Sequence, residues 1–147
     1  MRRFVLDTSV ILKWFSESEE GDLDQALQLR QSMLDGNVSF VVPDLMFYEL
    51  ANALRHNPEF SKEDVGRAVH SVFEMGFEVR GVDAEVMGET ISLAFKHNVT
   101  AYDAYFLALS KKESRPFITA DYRFMERVKG FRGIIRLSDI SGVVVRL

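Results

Sequence analysis

The chain contains no cysteine. Disulfide frameworks, thiolate zinc sites and cysteine nucleophiles are therefore excluded together, and the absence suits a reducing compartment such as the cytoplasm. Proline is scarce, with three residues at 43, 58 and 116, so interruptions of regular structure are few and easily read. The three histidines, His56, His70 and His97, show no metal-ligand spacing and read as surface or boundary residues. No run approaches the ~20 apolar residues of a membrane span. Only a short apolar stretch separates Arg2 and Arg3 from Lys13, so no signal peptide is expected. Pro/Gly/Ser-rich linkers, low-complexity runs and internal repeats are also missing. The 147 residues are expected to form a single domain, 1–147.

Positive charge is in deficit, and the net charge of −4 argues against a generic basic nucleic-acid binder. The deficit is uneven. Up to residue 103 there are 9 basic and 18 acidic residues; beyond it there are 9 basic and 4 acidic. An acidic body with a basic C-terminal third suits a protein that brings a polyanion up to a metal-loaded acidic pocket. An unevenly charged solvated surface accounts for the same counts.

An apolar share of 47% supplies a sizeable core. Arg3 to Leu6 reads as a short strand buried on both faces. A helical segment is expected from about Val10, broken near Gly21 and resumed through Leu23, Leu27, Leu29 and Met33, ending at Gly36-Asn37. "VSFVVP" is a second strand stopped by Pro43. Asp44 is placed to cap a helix reaching about His56. Ser61 and Asp64 form a capping box for the next helix, which ends at Gly76. "FEVRGV" reads as a third strand, Asp83 opens a further helix, and another runs from Ala101 to about Lys112. "RPFITAD" supplies a fourth strand, Tyr122 to Val128 a short helix and "GIIRL" a fifth strand, with "GVVVRL" a possible sixth at an edge. Strands alternating with helices predict a three-layer α/β/α sandwich around a mainly parallel sheet of about five strands. Ligands in such sheets bind where strands end at their carboxyl side.

Four acids stand out against this frame. Asp7 closes the apolar strand in "FVLDTSVIL", and Asp121 closes "FITAD" in the same manner, so two parallel strands would deliver both to one edge. Either acid also reads as a plain cap of the helix that follows. Glu49, in "DLMFYELANAL", falls beside Leu50 near the buried face of its helix. A carboxyl there must be paired, protonated or bound to a cation; a boundary glutamate reaching to water, or pairing with Arg55 or Lys13, is the ordinary alternative. Asp103, in "TAYDAYFLALS", forms a capping box with Thr100 but leads onto Phe106 and Leu107, so its side of the helix also turns inward. Gathering four carboxylates in one partly buried site requires divalent cations. An all-oxygen ligand set points to Mg²⁺ or Mn²⁺ instead of zinc, and phosphodiester hydrolysis is the natural chemistry of such a site. Lys13, Arg123, Arg127, Lys129 and Arg132 are candidate RNA phosphate contacts, with Arg123 and Arg127 sharing a helix face; solvated helix surface is the alternative for each. Trp14 and Phe15 suit core or interface packing better than base stacking.

Four segments, "FVLDTSVILKWF", "PDLMFYELANAL", "TAYDAYFLALS" and "FITADYRF", resemble the signature blocks of the PIN-domain ribonucleases, most of all the toxins of VapBC-type toxin–antitoxin pairs. The resemblance runs from Phe4 to about Leu137. It implies a PIN-like fold and a Mg²⁺- or Mn²⁺-dependent endoribonuclease acting on RNA. The family's acidic quartet falls on Asp7, Glu49, Asp103 and Asp121. It further implies Asp7 and Asp103 as direct metal ligands and Asp121 as a second-ion or water-mediated ligand. Glu49 becomes a ligand or the group orienting the attacking water, and Ser9 and Thr119 are supporting hydroxyls. A homodimer, a cognate antitoxin partner and a cytoplasmic location follow from the same resemblance. A housekeeping PIN nuclease in RNA processing is the near alternative. A receiver-like or phosphoaspartyl Mg²⁺ domain is the distant one, but it would want an acid where Ser9 stands and a Lys soon after "FITAD". A PIN-like binding scaffold would have lost acids, and none is lost.

Overall fold

The computed structural model describes residues 1–16 and 21–141. Five strands form one parallel sheet: β1 (Arg2–Leu6), β2 (Val38–Pro43), β3 (Glu78–Arg80), β4 (Phe117–Thr119) and β5 (Ile134–Arg136). Seven α-helices alternate with them among the described residues: α1 (Thr8–Leu12), α2 (Leu23–Leu34), α3 (Leu45–Arg55), α4 (Lys62–Glu74), α5 (Ala84–His97), α6 (Ala101–Glu113) and α7 (Tyr122–Arg127). The expected α/β/α sandwich is thus the observed architecture. The segment "GVVVRL" lies outside the described residues.

The strand order is β3-β2-β1-β4-β5. The chain winds outward from β1 to β3, crosses back over the sheet and winds outward again through β4 and β5. The reversal of direction falls between β1 and β4, where parallel α/β sheets open a crevice at their carboxyl edge. A receiver-like domain orders its strands 2-1-3-4-5, so this sheet, ordered otherwise, removes the receiver-like half of that alternative.

Central strands carry the core. Phe4, Val5 and Leu6 are all fully buried, and because successive strand residues point to opposite faces, both faces of β1 must be covered. Helix α6 packs on β1, β2 and β4, while α2 and α3 pack on β2. Residues 104–110 of α6 are buried without a break, which marks a helix enclosed on every side. Truncating a fully buried phenylalanine such as Phe4 or Phe40 to alanine costs ~3–5 kcal/mol.

Local signals mostly behave as the residues predict. The Ser61–Asp64 box is complete, with bonds of 3.1 and 2.9 Å in the two directions. Asp83 caps α5 through the Val86 N–H. Asp44 does not act as expected: it occupies the residue before α3 but makes no side-chain cap bond. Its backbone is already in the helical region, at φ −60° and ψ −21°, whereas a capping residue needs an extended conformation to aim its oxygen at the N–H groups ahead. Trp14 is a core residue. Its indole N–H donates to the Ala26 carbonyl at 2.8 Å, and its ring stacks with Phe77.

Candidate active site

The site begins at the end of β1. The Asp7 N–H donates to the Ile118 carbonyl at 3.0 Å, so the chain is still tied to β4 as it leaves the sheet. Although Asp7 precedes α1, its carboxylate makes no cap bond. It turns across the strand boundary instead. Ser9 Oγ and Thr119 Oγ1 each donate to Asp7 Oδ2 at 2.7 Å. A hydroxyl has one proton to give, so the 3.4 Å approach between Ser9 and Thr119 is not a third bond. Backbone groups fix the two hydroxyls in turn: Ala120 N–H donates to Ser9 Oγ and Asp121 N–H to Thr119 Oγ1, both at 3.0 Å. Two strand ends therefore clamp one oxygen of Asp7. Its other oxygen, Oδ1, accepts no hydrogen bond from the described residues.

Glu49 reaches the same region from α3, which packs on α1. It is half-buried, as its position beside Leu50 predicts, and among the described residues no ion pair joins it to Arg55 or Lys13. Thr8 Oγ1 donates to Glu49 Oε1 at 2.7 Å. Thr8 is the member of this cluster that sequence reasoning missed. A threonine opening a helix reads as generic, and only the docking of α1 on α3 reveals its target. Asp103 enters from the first turn of α6, where its N–H donates to Thr100 Oγ1 at 3.1 Å. Asp121, exposed, is a genuine cap: its Oδ1 accepts from Phe124 N–H at 3.0 Å.

The four carboxyls feel one another. Burial pushes the Asp7 carboxyl up to about 6, the Ser9 and Thr119 hydroxyls pull it down, and the charges of Asp103 and Asp121 raise it further. Glu49 is pushed up to about 7, first by burial, then by Asp7 and Asp103, against the bond from Thr8. Asp103 is also raised, by burial and by Asp121, with Thr100 and the Arg127 guanidinium opposing. Such a cluster holds excess negative potential that protons or a cation must relieve. Among the described residues no three His, Cys, Asp or Glu side chains converge into a ready-made metal cage. The donor set is oxygen only, which suits a hard divalent ion.

The basic candidates divide. Arg127 lies near enough to Asp103 to lower its pKa, and Arg123 shares its helix. Lys129 and Arg132 line a groove with Pro116 and Gly133, the residues that precede β4 and β5, at the opposite edge of the sheet. Lys13 is half-buried on the turn after α1.

Comparison with known proteins agrees with this architecture. A ribonuclease, VapC3, of Pyrobaculum aerophilum is 28% identical over 135 residues, covering 85% of this chain and 94% of that protein. The crystal structure of PAE2754 from Pyrobaculum aerophilum superposes with a TM-score of 0.68 at 17% identity, over 99% of this chain and 97% of the other. A toxin–antitoxin complex from Klebsiella pneumoniae gives 0.66 at 14% identity, over 91% and 97%. Both structural likenesses are statements about fold. The PIN domain model matches residues 4–130, a span that contains all four acids, Thr8 and both clamping hydroxyls: the chain belongs to the PIN domain family.

Proposed function

We propose that this chain is a metal-dependent endoribonuclease, a single PIN-like unit over 1–147, and the toxin of a toxin–antitoxin pair acting in the cytoplasm. The observation that carries the reading is the clamped Asp7 at the β1/β4 reversal, within electrostatic reach of Glu49, Asp103 and Asp121. Relatives described as a ribonuclease and as a toxin–antitoxin complex support the class of substrate and of partner. A homodimer belongs to the same reading, and exposed apolar side chains such as Ile91, Phe95 and Tyr102 are available for protein contacts.

Mg²⁺ or Mn²⁺ held by Asp7, Glu49, Asp103 and Asp121 would supply Lewis-acid activation of water and charge neutralisation at phosphorus. The chain's own residues do the rest. Ser9 and Thr119 fix the Asp7 carboxylate and favour its ionised form, leaving Oδ1 for the site. Thr8 fixes Glu49, whose raised pKa lets it hold or release a proton near neutral pH. Arg123 and Arg127 stand on the approach to the acids, where they can orient a phosphodiester.

Purified protein incubated with mixed RNAs is expected to cleave with Mn²⁺ and to stop with EDTA. The Asp103→Asn variant is expected to lose ~10²–10³ in rate. Cleavage that persists equally with EDTA or in the variant would remove the site assignment.

A further inference from the structure

A groove of about 640 Å³ opens at the amino-terminal mouth of β4 and β5, remote from the acids. Lys96 and His97 from α5, Lys111 and Arg115 around the end of α6, and Lys129 and Arg132 from the turn after α7 all line it. Glu89 is the one acid in the lining, and Lys111 pairs with it at 2.8 Å. Lys129 pairs with Glu126 at 2.9 Å. Lys96, Arg115 and Arg132 are exposed and have no ion-pair partner among the described residues. In a protein of net charge −4, three uncompensated cations converging on one cavity form a local reversal of sign that draws in an anion.

The rest of the lining narrows the class of anion. Ser92 and Ser114 add hydroxyl donors, and Leu93, Pro116 and Phe131 give an apolar floor with an aromatic ring. Gly130 and Gly133 hold the turn around Phe131 and Arg132 at φ +95° and +92°, a conformation that L side chains rarely adopt, and added Cβ atoms there would meet no neighbour. The turn therefore needs glycine for its backbone, and open space remains over it. Cations, hydroxyls and an aromatic ring together suit phosphates and bases of a single strand better than an acidic peptide, which has no base to stack. Asp103 and Lys111 are eight residues apart on α6, so the groove begins ~12 Å from the acids along the helix.

We propose that this groove is a second RNA-binding site, which holds the backbone of single-stranded RNA at a distance from the cut. The proposal rests on the ribonuclease reading for its substrate, but binding tests it without catalysis. Fluorescence anisotropy with a labelled single-stranded 20-mer RNA in EDTA is the measurement. Lys96→Glu/Arg115→Glu is expected to weaken binding at least ~10-fold and to flatten the salt dependence by about 1.4 in log–log slope. The remote pair Lys62→Glu/Arg67→Glu on α4 makes the same change in net charge and is expected to alter affinity less than ~2-fold.

Equal weakening by both pairs, wild-type affinity in the groove variant, or no RNA binding by the wild type overturns the proposal. So does displacement of the RNA by a polyglutamate peptide at lower concentration than by polyphosphate. Wild-type protein that binds RNA in the groove but never cuts it with Mn²⁺ removes the nuclease reading alone. Cleavage by a protein whose groove variant binds normally removes the groove alone.

Discussion

The ends of β1 and β4 look alike in sequence: each is an apolar strand closing on an aspartate with a hydroxyl residue nearby. They behave differently. Asp7 makes no cap bond and receives two hydroxyls on one oxygen, while Asp121 stays exposed and caps α7. The same strand-end acid can thus be a desolvated carboxyl held by hydroxyls or a helix cap that also contributes charge. Strand position decides the outcome. β1 lies in the middle of the sheet with both faces covered, and α6 packs on it. β4 lies one strand nearer the edge, and Asp121, two residues beyond its end, is exposed.

The largest test of this difference is activity. Asp7→Asn is expected to lower RNA cleavage ~10³-fold, whereas Asp121→Asn, which keeps the cap, is expected to lower it by only ~10-fold. Equal losses in single-turnover assays would erase the distinction.

Stability against pH is next. A buried carboxyl whose folded pKa is raised binds its proton more tightly in the native state. Its stabilising contribution is therefore complete below the unfolded value near 4 and is lost as pH rises through the folded value. For Asp7, raised to about 6, and Glu49, raised to about 7, the metal-free protein should lose stability between about pH 4 and 7. Asp7→Asn should remove part of that slope and raise the metal-free Tm at pH 7.5 by several degrees, at about 2–4 °C per kcal/mol for a chain of this size. Thermal melts in EDTA across that range decide it.

The smallest effect concerns the cap alone. Asp121→Ala should destabilise the fold by ~1 kcal/mol in urea titration, whereas no cap bond is there to be lost at Asp7.

Much of this was legible in the residues, for reasons that can be named. Phe4-Val5-Leu6 announces a strand covered on both faces, and placing an acid directly after it points to a site. Ser61 and Asp64 carry their capping geometry within four residues. Asp44 misled because cap chemistry depends on the backbone angle, which the residue type does not fix. Thr8 was missed because its partner lies 41 residues away. The basic residues after Asp121 were read together, but α7 and the glycine turn carry the chain from one edge of the sheet to the other. Arg127 therefore lies within electrostatic reach of Asp103, while Lys129 and Arg132 line the opposite groove.

Helix α6 joins those two edges, and its unbroken burial over residues 104–110 has a mechanical meaning. A helix gripped along its length by sheet and neighbouring helix acts as a ruler, with Asp103 at one mark and Lys111 at the other. On the proposed reading, the shortest RNA that spans both marks is then a fixed property of the molecule. One inserted helical turn would lengthen it by ~5.4 Å.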